Sequence, residues 1–287
     1  MSIKKTLLAA LTGLSLAAPV AQAEITMGLI PAESAEEMVR KFEPMRAYLE
    51  QQLGESVKVY TATDYTGVIE AMRRKRIDVA WFGPLSYVVA QREAGAEPFA
   101  AGVRKGSDSH SYVGILTTRC DSGIENLEDL EGKTMAFVSP SSTSGGLVPT
   151  YMVVSQTGQQ PEEYFSRLTY AGSHDAGQLA LKNGSVDAAA TNDITYERMV
   201  KKGQISRDEI CIIRESDPIP GSPLTYRGDL SEDKKAKIRE AILNAHKDIE
   251  VSGYGALSHY EAVTPADYQP VRDMAEQLGL SDDDILK

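Results

Sequence analysis

The chain has 287 residues, 42% of them hydrophobic, enough apolar material for one large or two medium domains. Its formal charge of −11 repels polyanions and anionic bilayers, which argues against nucleic acid as a partner. The same acidity repels an anionic ligand at long range, so any anion site must be local, built from dipoles and neutral donors.

The first 23 residues read as a secretory signal peptide. Lys4 and Lys5 make a basic start, Leu7 to Val20 is largely apolar, and Ala21-Gln22-Ala23 is a small-x-small cleavage site. The apolar stretch is too short and interrupted for a permanent span, and no later run reaches spanning length. The expected mature protein begins at Glu24 and is exported, to the periplasm in a two-membrane bacterium. Cys120 and Cys211 are the two cysteines. In an oxidising compartment such a pair more often bonds than stays free, though spacing alone leaves their proximity open.

From Glu24 onward, short apolar strands alternate with helical segments. Ile25 to Ile30 is a strand stopped by Pro31. Ser34 before Glu36 and Glu37 is a helix start, and Phe42 to Leu53 is helical, with Pro44 in its first turn or at a kink. Val57 to Tyr60 alternates as a strand. Asp64 to Gly67 turns into a helix from Val68 to Arg76. Ile77 to Phe82 is a strand broken by Gly83-Pro84, and a helix follows through Arg92. This strand–helix alternation predicts an open sheet with parallel strands, whose ligands sit beyond the strands' carboxyl ends.

Pro98 to Val103 and Tyr112 to Thr118 read as strands around a polar turn. Met135 to Val138 opens a second α/β run, with helices after Gly146, over Asp175 to Asn183 and over Asp193 to Lys202. Strands are expected near Tyr164 to Tyr170, Val186 to Ala190 and Glu209 to Arg214. Pro218 to Pro223 is an extended crossing, Leu224 to Arg227 a strand, and Glu232 to Ile249 a helix capped by Ser231. The tail from Thr264 is helical. Two such blocks joined by two crossings predict two lobes with a cleft between them.

One stretch stands out. After the strand ending near Val138 come Ser139-Pro140, four hydroxyl residues (Ser141 to Ser144) and Gly145-Gly146. A helix start leaves N–H groups unpaired and carries partial positive charge, so hydroxyls and glycines there suit a tetrahedral oxyanion. Taken alone, the stretch fits the plainer reading better, a Ser-capped helix, because Ser-rich turns are common. His174, in the loop after Ala171-Gly172-Ser173, is either a structural hydrogen-bonder or a donor to that anion. Tyr65 and Tyr112 are either packing residues or uncharged phenol donors.

Catalytic alternatives lack their residues. Gly132-Lys133-Thr134 imitates a Walker loop, but Leu127 stands where its first glycine belongs and a strand follows instead of a helix. There is no G-x-S-x-G elbow, and His110, His174, His246 and His259 have no metal-ligand spacing. No cofactor and no metal are expected. An exported enzyme on a phosphorylated substrate, or a sensor subunit, are the competing readings.

Taken together, Thr63-Asp64-Tyr65-Thr66-Gly67, Ile77 to Tyr87, Ser142-Thr143-Ser144-Gly145, Ala171 to Asp175 and Pro218 to Gly221 give the chain a specific likeness. It resembles the periplasmic phosphonate- and phosphite-binding proteins of ABC importers over nearly the whole mature length. The resemblance implies a two-lobed α/β protein of the class II periplasmic binding type, each lobe an open, mostly parallel sheet flanked by helices, joined by two crossing strands. It implies lobe 1 from 24–115 and 217–287, and lobe 2 from 116–216.

The implied ligand-binding residues are Tyr65, Tyr112, Ser142, Thr143, Ser144 and His174. The partners are a small phosphorus oxyanion and the permease subunits. Relatives that take an aminated phosphonate carry acidic residues where this chain has Thr195 and Ser222, which disfavours 2-aminoethylphosphonate and favours phosphite or methylphosphonate. Asp193 is the carboxylate left to meet an amine.

Overall fold

The computed structural model describes residues 24–287, and the signal-peptide reading falls outside the described residues. Two sheets organise them. Strand β1 (Glu24–Leu29) is followed by helix α1 (Ala35–Leu53), β2 (Ser56–Thr61), α2 (Tyr65–Arg73), β3 (Val79–Trp81), α3 (Pro84–Ala94) and β4 (Ala96–Arg104). The chain then crosses to β5 (Gly114–Arg119), β6 (Thr134–Phe137), α4 (Val148–Thr157), α5 (Pro161–Tyr164), β7 (Arg167–Tyr170), α6 (His174–Lys182), β8 (Ala188–Asn192), α7 (Asp193–Lys201) and β9 (Ile210–Glu215). It returns through β10 (Pro223–Arg227), α8 (Glu232–Asn244), β11 (Leu257–Ala262), α9 (Gln269–Gln277) and α10 (Asp282–Ile285).

The first sheet has the order β11-β4-β10-β3-β1-β2, and the second β7-β6-β8-β5-β9. The parallel cores are β2-β1-β3 and β7-β6-β8. Each sheet is then extended by antiparallel strands, β10, β4 and β11 in one and β5 and β9 in the other. The sheets are therefore mixed, with β1, β2, β3 and β4 running one way in the first and β6, β7, β8 and β9 one way in the second.

Burial explains the elements. In the second sheet Met135 and Phe137 pack on one face while Ala136 packs on the other, and Ala188 and Ala190 oppose Ala189 in the same way. That is the two-residue alternation of a strand covered on both faces. Helix α1 is one helix from Ala35, longer than expected, with Pro44 on its exposed face well past the first turn. Ser34 Oγ accepts from Glu37 N–H at the start, and Met38, Phe42, Met45, Tyr48 and Leu49 bury one face. Five buried apolar side chains outweigh the roughly 3 kcal/mol that an interior proline costs.

Among the departures from the sequence reading are one strand boundary and one strand that it did not place. The strand expected from Tyr112 begins at Gly114, and Tyr112 instead pairs with Ile219 of the return crossing, N to O at 3.1 and 2.8 Å. Strand β11 has no clear alternation, because its pairing with β4 shifts register between Leu257 and His259.

Cys120 at the end of β5 is bonded to Cys211 in the neighbouring β9, with Cα atoms 5.0 Å apart. The bond closes a sequence separation of 91 residues, for which chain entropy gives a stabilisation of about 4–5 kcal/mol. Replacing both cysteines with serine is expected to lower the melting temperature by about 10 °C. A melting curve unchanged within 2–3 °C would contradict that.

Candidate functional site

Strand β6 stops at Phe137, and Ser142 caps a wide, π-helical turn, Thr143–Leu147, that runs into α4. Ser142 Oγ accepts from Gly145 N–H at 3.1 Å, and Gly145 O accepts from Val138 N–H at 2.7 Å. A methyl group on Gly145 would lie 2.3 Å from Val138 Cγ2, and one on Gly146 2.3 Å from the Ser139 carbonyl oxygen. The glycines thus make room for the turn's own strand end rather than for a ligand. Pressed that close, the hydroxyl-bearing side of the turn faces the cleft.

A small cavity lies there, lined among others by Tyr65, Tyr112, Ser142, Thr143, Ser144 and His174. Its volume of about 20 Å³ exceeds what a single water-sized sphere needs, roughly 10–15 Å³, and suits a guest of a few heavy atoms. Among the described residues, no Asp, Glu, Lys or Arg lines it. What surrounds it is helix starts. Tyr65 opens α2, Gly83 caps α3, Ser142 caps the turn before α4, His174 opens α6 and Asn192 caps α7, and all five line the cavity. Such ends carry partial positive charge and N–H groups without intrahelical partners, which favours an anion where side-chain cations are lacking.

The side chains are set as donors. Burial pushes the phenols of Tyr65 and Tyr112 well above their ordinary range, so both keep their protons. Tyr65 stands against the Ser142 hydroxyl, and Tyr112 against those of Ser144, Thr143 and Ser222. Burial holds His174 down to about 3, against the pull of Asp175, so its ring is neutral at pH 7. His174 Nδ1 lies 3.2 Å from Thr191 Oγ1; when that hydroxyl donates to it, Nε2–H is the ring's free donor. Thr143 Oγ1 accepts from Leu85 N–H at 2.9 Å, which leaves its own proton to give.

Six of the seven ligand-binding residues expected from sequence therefore meet at one cavity. Asp193 does not line it. Its carboxylate faces away, held by Arg104 at 2.6 Å and by Val113 N–H at 3.2 Å. The sequence reading had no place for Asn192 and Tyr254. Asn192 donates to Tyr254 Oη at 3.0 Å and to Ser144 Oγ at 3.4 Å. Its only sequence signal is an Asn before a helix. Tyr254 stacks near Trp81 with centroids 5.0 Å apart and has Lys41 Nζ 5.0 Å from its ring, all through tertiary contacts. Thr195 bonds Tyr254 Oη with its hydroxyl.

The two sheets' segments meet along a seam beside the cavity. Ala32 O accepts from His174 N–H at 3.0 Å, and Asp175 Oδ2 from Ser34 N–H at 3.3 Å. Glu33, fully buried, sits between Lys41 at 2.5 Å on its own side and Arg198 at 2.7 Å on the other. Glu37 meets Lys202 at 2.8 Å, which holds its carboxyl down to about 2. The cleft is closed.

This fold and cleft are those of a two-lobed substrate-binding protein. The chain belongs to the family described as ABC transporter, phosphonate, periplasmic substrate-binding protein, whose model matches residues 27–268. It is 34% identical over 230 residues to the phosphonates-binding periplasmic protein of Escherichia coli K12, covering 79% of this chain and 67% of that one. It is 30% identical over 278 residues to the phosphate-import protein PhnD of Mycolicibacterium smegmatis, covering 89% and 86%. The solved structure of PhnD1 from Prochlorococcus marinus with methylphosphonate has the same fold, with a TM-score of 0.79 at 21% identity over 89% of this chain and 98% of that one. The protein is thus the periplasmic substrate-binding component of an ABC transporter and not an enzyme.

Two outcomes are expected. Gly146→Ala sets a methyl against the Ser139 carbonyl, so it should weaken ligand binding at least about tenfold by displacing the turn; binding within a factor of two of wild type would contradict this. Unfolded histidine titrates near 6.5, whereas His174 is held near 3. Between those values only the unfolded chain takes the proton, so His174 lowers stability as pH falls through that window. In the ligand-free protein, NMR should show a neutral His174 ring at pH 5, and a protonated ring there would refute the assignment.

Proposed function

We propose that the protein binds phosphite or a small alkylphosphonate such as methylphosphonate between its lobes and delivers it to the permease subunits. The observation that carries this is the convergence of five helix starts and the hydroxyls of Ser142, Thr143 and Ser144 on a cavity without charged side chains. Three phosphorus-bound oxygens find donors there. The fourth substituent meets Trp81 and Ile30, which favours hydrogen or carbon at that position. Phosphate would place a hydroxyl against that wall, and an unpaired buried polar group costs about 1–3 kcal/mol. The relative named for phosphate import makes phosphate the discriminating ligand.

Binding works by differential affinity for the closed state. Lobe 1 (24–115 and 217–287) and lobe 2 (116–216) turn about the crossings, where Tyr112 and Ile219 pair. Because Tyr112 is both crossing residue and phenol donor, the ligand and the hinge share one side chain. The missing acidic partners at Thr195 and Ser222 disfavour 2-aminoethylphosphonate.

Calorimetry on the exported chain is expected to give one site, with phosphite or methylphosphonate bound at least tenfold tighter than phosphate. Ser144→Ala, which removes a donor without removing the Ser142 cap, should weaken that ligand by about 10–100-fold. Equal affinity for phosphate, or an unaffected Ser144→Ala variant, would sink the reading.

A further inference from the structure

The seam between the lobes carries charges in register. Lobe 1 offers Glu33, just before α1, and Glu37 in its first turn. Lobe 2 offers Arg198 in the last turn of α7 and Lys202 at its cap. The two acids are four residues apart, and so are the two cations, about one helical turn in each case. They meet rung by rung: Arg198 Nε lies 2.7 Å from Glu33 Oε1, and Lys202 Nζ 2.8 Å from Glu37 Oε1. The signs also suit each helix, with acids at the start of α1 and cations at the end of α7.

The rungs are unequal. The side chains of Glu37 and Lys202 keep 19% and 37% of their surface exposed, so water screens that pair and it contributes little. Glu33 is fully buried and has a cation on each side, Lys41 of its own lobe at 2.5 Å and Arg198 of the other. The Arg198 contact is close but not aligned as a hydrogen bond, which makes it a contact of charges. Burial lowers the Lys41 pKa, Glu33 raises it and Arg198 lowers it again, so the two cations are near enough to repel. Glu33 thus stands between like charges that face each other across the seam. Neither it, Lys41 nor Arg198 lines the oxyanion cavity, although Ala32, His174 and Tyr254 beside them do.

We infer that Glu33 is a positioning residue for closure: through Arg198 it sets the fraction of closed molecules, and so the affinity for every ligand, with no part in choosing among them. Opening the lobes separates Glu33 from Arg198 and leaves its pair with Lys41 intact, so the Arg198 contact belongs to the closed state alone. Apparent affinity scales with the closed fraction. The inference rests on the oxyanion reading and its closing motion, and extends them to residues that touch no ligand.

Calorimetry on the exported chain with phosphite, methylphosphonate and phosphate tests it, each variant first checked by a ligand-free melting curve. Glu33→Gln should weaken every ligand that binds by at least about tenfold, with the ratios between ligands unchanged within about threefold. Lys202→Gln should stay within about fivefold of wild type. Arg198→Met should weaken binding in the wild-type background and strengthen it in Glu33→Gln, where it removes a repulsion. A merely structural role would not reverse that sign. Glu33→Gln within about a factor of two of wild type, altered ratios, or Arg198→Met weakening binding in both backgrounds each overturns the inference. Should Glu33→Gln fail to fold, Arg198→Met alone decides, and affinity within about a factor of two of wild type overturns it. Equal wild-type affinities for phosphite and phosphate defeat only the ligand preference above; if none of the three binds, the oxyanion reading falls and takes this with it.

Discussion

An oxyanion bound as proposed, without a counter-ion, has to be met by donors on every side, and that requirement would account for the way this cavity is built. The cavity has no cation in its lining, and its one imidazole is neutral. The compensation is geometric: helix ends from both sheets point at one place, with hydroxyl donors on the turn that opens α4. Neutral donors suit a receptor that must also release its ligand. A buried ion pair carries a large desolvation penalty and a large cost of breaking, whereas hydrogen bonds from fixed dipoles exchange with water more evenly.

The convergence follows from the sheet cores. In a parallel unit each strand feeds a helix, so helix starts gather at the carboxyl ends of the strands. Strands β3, β6 and β8 run this way into the segments that supply Gly83, Ser142 and Asn192. The antiparallel additions have another task, carrying the chain between the sheets. There Tyr112 pairs with Ile219 and also presents its phenol to the cavity. The seam of Glu33, Lys41 and Arg198 then joins the two sides with charges kept out of the cavity itself.

Much of the site was legible in order along the chain. Ser142 to Ser144 announce an open helix start through residue type, and capping is a local interaction that needs no tertiary knowledge. The same holds for Asp64 before Tyr65 and Ser173 before His174, whose side chains cap α2 and α6. The surroundings of Asp193 were not legible by the same local logic. The residue follows the cap of α7 and looks available, but Arg104, 89 residues earlier, takes its carboxylate. Tyr254 gave no warning, since its loop reaches the cleft only because β11 pairs with β4.

The amino-acid sequence by itself therefore determined the alternation of strands and helices, the capped helix starts and their uncharged hydroxyl donors, because these rest on neighbours within a few residues. The tertiary structure alone decided that the sheets are mixed, that Cys120 reaches Cys211 and that Arg104 takes the Asp193 carboxylate. Those outcomes depend on which distant segments come to share a face, and that is set by packing two whole lobes together rather than by any stretch of chain.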